Sequence, residues 1–334
     1  PEILILSGDL TFNGERQSHL DLEKKLSRIR QNGTQILVIP GNHDIDRSSA
    51  AGFYGDGYEL VDSINKEEFA KIYQDYGLQE SIEKDDTSLS YLYRARKDFW
   101  ILMLDSNSHG TNEISDQTFS WIEEILKDAK EQDIQVLAVS HQNLLAHNPY
   151  FTEGFLIHRA QELEALYEKY DVMANLSGHI HIQHIEDSGL PEILTSALPV
   201  SPHHYGILEF DGETLDYQAK ILDVASWARE QGLTDQNLLD FSQASRAFME
   251  QVSARKLESE LLDSQLTSLE RELLLQTFAQ INADYFAGRQ IDPANHQQGL
   301  SLMQETGLSF YPTYIDSILK SAEKGHESFQ LELE

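Results

Sequence analysis

The sequence predicts a layered α/β domain followed by an all-α helical bundle. Three observations carry this. Short apolar runs alternate with helix-period segments over residues 1–222, and after about residue 222 only helical spacing continues. At 334 residues the chain is long enough for roughly two domains of about 100–200 residues each. A hydrophobic content of 40% is enough to build both cores.

The elements follow in order. "ILIL" (3–6) reads as a buried strand. In "ERQSHLDLEKKLSRIRQNG", Leu22, Leu26 and Ile29 form a helical stripe and Gly33 is its C-terminal stop. "QILVIP" (35–40) and "FWILMLDS" (99–106) are strands. Ser115 is the N-cap of a helix with Phe119, Ile122, Ile125 and Leu126 on one face. "QVLAVSH" (135–141) is a strand, and residues 159–170 are helical through Leu163, Leu166, Tyr167 and Tyr170. "DVMANLSGHIH" reads as a strand, in which residues two apart share a face and His179 and His181 point the same way. "EILTSA", "YGILEFDG" and "TLDYQAKIL" read as strands joined by turns.

Beyond residue 222, Leu238, Phe241, Ser245, Phe248 and Val252 keep helical spacing. Thr267 and Glu270 form a capping box for a helix running through Leu273, Thr277, Ile281 and Tyr285 to Gly288. Asp292 and Pro293 read as N-cap and first helical residue, and a last helix spans 312–325. The acidic tail "HESFQLELE" reads as a solvated end. The expected organisation is therefore a domain over 1–222 and a helical bundle over 223–334.

Residues with metal-binding chemistry recur where the strands end. Asp9 follows "ILILSG". Asn42, His43 and Asp44 follow "ILVIPG". His141 closes "VLAVSH", and His179 and His181 follow "NLSG". Sites in α/β sheets form at the carboxyl ends of strands. Each motif alone reads equally as a turn or as a hydrogen-bonded histidine, but the joint pattern points to a metal site.

The order G-D, G-N-H-D, H, G-H-x-H resembles the calcineurin-like metallophosphoesterase superfamily, and its wording is most similar to the bacterial cyclic-nucleotide phosphodiesterase-like branch. The resemblance covers roughly residues 1–222 and implies a metallophosphoesterase-type β-sandwich flanked by helices. It implies that Asp9 bridges two metals, that Asn42, His141 and His179 complete the second, and that His181 binds the first. His43 would be the general acid or orient the substrate. The superfamily's opening D-x-H motif has no counterpart here. Because the chain starts at Pro1, directly in a strand, the implication is that its first strand lies upstream in a longer precursor. On this reading the first metal keeps only Asp9 and His181.

The chemistry explains the residue types. Two cations about 3.5–4 Å apart clamp a phosphoryl group, and a metal-bound hydroxide attacks in line. No serine or cysteine nucleophile is then needed, and His43 can protonate the leaving oxygen, because an imidazole exchanges protons readily near neutral pH. The nitrogen and oxygen ligand set suits two divalent transition metal ions from among Mn, Fe, Zn, Co and Ni.

Composition narrows the partners. The chain carries 25 basic and 56 acidic residues, a formal charge of −31, spread over both regions. Such a surface repels nucleic acid and anionic lipid. There are no cysteines, which excludes disulfides, thiolate zinc sites and cysteine nucleophiles. No apolar run approaches the ~20 residues of a membrane span, and no signal-peptide pattern is present.

The expected activity is hydrolysis of a small phosphodiester, with 3′,5′-cyclic nucleotides leading. The alternatives are a phosphomonoesterase or nucleotidase on the same site, and a catalytically silent scaffold acting through the helical region. Other polar and aromatic features weigh less. "FYGDGYEL" (53–60) either lines the site or is an ordinary loop, and Tyr150 and Phe151 read as an aromatic loop that could stack a base. His203 and His204 precede a strand, and Asp105 and His109 read as strand-end solvation.

Overall fold

The computed structural model describes residues 1–261 and 265–333. They form two compact units. The first comprises residues 1–146, 151–180 and 186–193, and the second 147–150, 181–185 and 194–334. The expected boundary at 222 therefore falls inside the second unit.

The elements, in chain order, are β1 (Ile3–Leu6), α1 (Arg16–Gln31), β2 (Gln35–Val38), β3 (Ala51–Tyr54), β4 (Gly57–Leu60), α2 (Lys66–Ile72), β5 (Glu83–Lys84), β6 (Tyr91–Arg96) and β7 (Phe99–Leu104). Next come α3 (Asp116–Glu131), β8 (Gln135–Ser140), α4 (Ala160–Lys169), β9 (Ala174–Ser177), β10 (His184–Glu186) and β11 (Glu192–Leu194). The remainder are β12 (His204–Phe210), β13 (Thr214–Ile221), α5 (Val224–Glu230), α6 (Gln236–Leu239), α7 (Phe241–Glu260), α8 (Ser268–Phe286), α9 (Gln297–Glu305), α10 (Phe310–Ser321) and β14 (Ser328–Glu332).

In the first unit the strands run β11–β9–β8–β7–β6–β5. β7, β8 and β9 are parallel neighbours, while β6 is antiparallel to β7. All six residues of β7 are buried, as an unbroken apolar run in a central strand requires. The α3 face of Ile122, Ile125 and Leu126 and the α4 face of Leu163 and Tyr167 pack with Leu102, Leu104 and Ala138 in one cluster. Ser115 caps α3, its side chain accepting the Thr118 N–H at 3.0 Å.

β1 and β2 form a separate parallel pair, partly buried in β1 and mostly buried in β2. α1, α2 and β2 enclose a second cluster through Leu26, Phe69, Tyr73, Ile36 and Val38. Tyr91 ties β2 to the larger sheet, because its hydroxyl donates to Val38 O and accepts from Val38 N, both at 3.0 Å.

In the second unit, α7 to α10 bury Leu257, Leu274, Ile281, Met303, Ile315 and Ile318. The capping box at Thr267 and Glu270 forms as expected, and Asp292 caps the turn at Pro293. Two expectations are corrected. The region after 222 is not all helix, and the acidic tail is not a solvated end. β14 pairs antiparallel with β13, completing a β12–β13–β14 sheet. The physical reason is alternation: Phe329 and Leu331 are half-buried while Ser328, Gln330 and Glu332 face water.

Candidate metal centre

The site forms where β1, β2, β8 and β9 end. Asp9, His141 and His179 bring one ligand atom each to within 4.8 Å of one another. Asp9 Oδ2 lies 3.3 Å from His141 Nε2, Asn42 Oδ1 3.0 Å from the same nitrogen, and His179 Nδ1 3.2 Å from it. Four residues drawn from four chain segments thus converge on one point.

The outer bonds fix which atoms face inward. His141 Nδ1 donates to Ser7 O at 2.8 Å, so Nε2 is the nitrogen with the lone pair. His179 Nε2 donates to Gly154 O at 3.2 Å, which leaves Nδ1 for the site. Backbone carbonyls orient both rings, an arrangement typical of metal-ligating histidines. The result is two imidazole lone pairs, a carboxylate oxygen and an amide oxygen facing one another. Such a set repels itself unless a positive charge sits among them.

The electrostatics agree. Burial pushes the Asp9 carboxyl up, but the His141 hydrogen bond and charge, with the His43 N–H, outweigh it and hold the group at about 2. Burial pulls the His141 imidazole down, yet Asp9 and the Ser7 carbonyl raise it above its ordinary value. The nitrogen and oxygen donors fit a divalent transition metal ion.

Two glycines allow the approach. A Cβ on Gly41 would lie 2.3 Å from both Asp9 N and Asp9 Oδ1, and one on Gly8 would lie 2.7 Å from His141 Nδ1. The "SGD" and "GNHD" segments pack backbone against backbone, and side chains at these positions would keep Asp9 from His141.

Asp44 clamps these loops. Its carboxylate accepts Gly41 N at 2.8 Å, Leu10 N at 3.1 Å, and Thr11 N at 2.9 Å. Burial pushes its carboxyl up to about 6, against the pull of these backbone donors. His43 N donates to Asp9 Oδ1 at 3.0 Å, and His43 Nδ1 donates to Phe12 O at 2.8 Å. His43 Nε2 is therefore the nitrogen available for substrate.

Buried Glu192 was not foreseen. It accepts Leu144 N at 2.9 Å, and Asn175 Nδ2 and Ser177 Oγ at 2.7 Å each, so one carboxylate holds the ends of β8 and β9 together. Asn143 Nδ2 reinforces this, donating to Ser177 Oγ at 3.0 Å and Gly178 O at 3.2 Å. In sequence, Glu192 follows Pro191 at the head of an ordinary apolar run, and no motif marks it.

The other expectations divide. His179 and His181 are not on an extended strand: β9 ends at Ser177, and both histidines adopt left-handed backbones with φ of 66° and 67°. Strand alternation therefore does not set the directions of these two side chains, since it holds only in extended chain. Asp9 is left-handed too, with φ of 53°. His181 is exposed and falls in the second unit, outside the three-residue donor group. Asp105 is not solvated but buried, accepting Leu89 N at 2.9 Å and Asn107 N at 2.8 Å. His109 is exposed. His203 and His204 are buried in the second unit, with His203 Nε2 bonded to Ser245 Oγ at 2.6 Å. Tyr150 packs against Phe310 and Tyr314 there, while Phe151 contacts Phe155 and Phe155 lies 5.4 Å from the His179 ring.

A layered α/β unit with nitrogen and oxygen donors converging at its strand ends has the build of a metal-dependent hydrolase. The chain belongs to the calcineurin-like phosphoesterase family, whose profile matches residues 1–183. Residues 223–325 match the C-terminal domain of cyclic nucleotide phosphodiesterase. Among solved structures, a dimetal phosphatase from Danio rerio is similar at 13% identity and a TM-score of 0.47, over 66% of this chain and 81% of that one. An anchor protein of the Plasmodium inner membrane complex is similar at 12% identity and a TM-score of 0.37, over 66% and 84%. The comparison with curated proteins returns no significant match. Among the described residues, no helix is long and apolar enough to cross a membrane.

Proposed function

We propose that this protein is a metal-dependent phosphodiesterase acting on small diesters, with 3′,5′-cyclic nucleotides as the leading substrate class. The observation that carries the reading is the convergence of Asp9 Oδ2, Asn42 Oδ1, His141 Nε2 and His179 Nδ1, lone pairs that need a cation among them. The match of residues 223–325 supports the diester and cyclic nucleotide parts.

In this reading Asp9, Asn42, His141 and His179 hold one divalent ion, and His181 is assigned to a second on motif order alone. The metal supplies electrophilic stabilisation of charge developing on the phosphoryl group. Ser7 O and Gly154 O keep the two imidazoles aimed, and Asp9 offsets the cationic charge. Phe12 O holds the His43 ring so that Nε2–H can hand a proton to the leaving oxygen. We assign the chemistry to residues 1–222 and a packing or partner role to 223–334.

The test compares hydrolysis of bis-p-nitrophenyl phosphate, p-nitrophenyl phosphate and cyclic AMP with added Mn²⁺. The reading predicts both diesters to be turned over faster than the monoester. A dominant monoesterase rate would assign the site to a phosphatase or nucleotidase, and no turnover would assign the chain to a scaffold.

A further inference from the structure

The hairpin of β3 and β4 carries an unusual surface beside His43. Phe53, Tyr54, Tyr58 and Leu60 are each 62–69% exposed, and Phe12 is 69% exposed. The pairing register sets Phe53 opposite Tyr58 and Ala51 opposite Leu60. Alternation then places Phe53, Tyr58 and Leu60 on one face. The Phe53 ring lies 6.2 Å from Tyr58 and 6.4 Å from Phe12. The rings are tilted against one another rather than stacked, at 47° and 59°, and all three residues remain 65–69% exposed.

This face is built to the proton donor. Phe12 supplies the carbonyl that holds His43 Nδ1 at 2.8 Å. Its neighbour Asn13 meets His43 Nδ1 at 3.4 Å and Ser49 Oγ at 3.2 Å, just ahead of the hairpin. The hairpin base is fixed by buried Glu15, which accepts Ala51 N at 3.3 Å and Asn13 N at 3.0 Å. The rings and His43 are therefore positioned by the same short segment.

Charge selects the occupant. Asp56, Glu59 and Asp62 are exposed in and beside the hairpin, and the chain carries −31 overall. Anionic lipid and a second copy of so acidic a chain are both repelled. A neutral planar ring stacks on aromatic faces without that cost, and every nucleobase offers one.

We propose that Phe12, Phe53 and Tyr58 form the platform for a planar aromatic substituent, a nucleobase above all, on the ester presented to His43. This rests on the phosphodiesterase reading and adds its specificity determinant.

The test is calorimetric binding of AMP and of ribose 5-phosphate, which lacks the base, to the full chain with Mn²⁺. Wild type should prefer AMP by roughly tenfold to a hundredfold, the scale of one stacked base. Phe53→Ala and Tyr58→Ala should bring the ratio toward one. Phe53→Trp should keep the preference, whereas Phe53→Leu should lose it, because a merely apolar contact would tolerate leucine. A wild-type ratio near one, or a ratio unmoved in Phe53→Ala, overturns the platform. So does self-association that Phe53→Ala abolishes while leaving the ratio intact. An intact AMP preference in a protein that hydrolyses no diester would overturn the function and leave the platform standing.

Discussion

Asp44 contributes no ligand atom to the donor group, yet three backbone N–H groups from two loops end on its carboxylate. Replacing it with Asn keeps the shape but turns one acceptor into a donor facing other donors. Asp44→Asn should cost about 1–3 kcal/mol, the scale of an unsatisfied buried polar group. Metal affinity should fall about 10–100-fold, as for loss of an outer partner of a metal site. Urea unfolding and a calorimetric Mn²⁺ titration check the two effects, and an unchanged metal affinity would reduce Asp44 to a stability role. His19 sits behind it, buried, its Nε2 donating to Asp44 O at 2.9 Å and its Nδ1 accepting from the Tyr73 hydroxyl at 2.8 Å. Burial pulls its pKa down to about 4, below the ordinary 6.5. The fold therefore holds His19 neutral, and that contribution is complete above about pH 6.5 and lost as pH falls toward 4. The stability gap between wild type and His19→Gln should narrow by about 2 kcal/mol between pH 7 and pH 5. Denaturant midpoints at the two pH values measure it, and a constant gap would contradict the assignment.

At the scale of elements, the strand ends depend on glycines that let two loops touch. In Gly41→Ala, the new Cβ would need the space of Asp9 N and Oδ1. The substitution should destabilise the fold by about 1–3 kcal/mol, as overpacking does. It should also remove tight metal binding, because Asp9 must move to make room. Retained metal stoichiometry in a folded Gly41→Ala protein would show that the loops have slack. Much of this architecture was legible in the sequence. Buried parallel strands such as β7 read as continuous apolar runs, and capping residues such as Ser115 and Thr267 announce their helices. The donor residues were legible because each follows such a run. The local geometry of "GHIH" was not, since a left-handed backbone at His179 leaves no mark on an alternating pattern. Nor was Glu192, whose partners at Leu144 and Asn175 become neighbours only through strand pairing. β14 was hidden by its charge, because an edge strand with one wet face looks like a solvated tail.

At the scale of the molecule, a chain of formal charge −31 concentrates a carboxylate, an amide oxygen and two imidazoles where the strands of two sheets end. A cation there would join loops from β1, β2, β8 and β9, so its binding should stabilise the fold by mass action, about 2.7 kcal/mol at a hundredfold excess over Kd. The same negative field would discourage long nucleic acids, in keeping with the small esters proposed as substrates. On the proposed reading, this donor group makes the chain a metal-dependent diesterase. The most direct measurement is the rate of bis-p-nitrophenyl phosphate hydrolysis by chelator-stripped protein as Mn²⁺ is restored, for wild type and His179→Ala side by side. Stripping should abolish the wild-type rate, Mn²⁺ should restore it, and His179→Ala should stay near background at the same metal concentration. A rate indifferent to the chelator, or an equal recovery in His179→Ala, would contradict it.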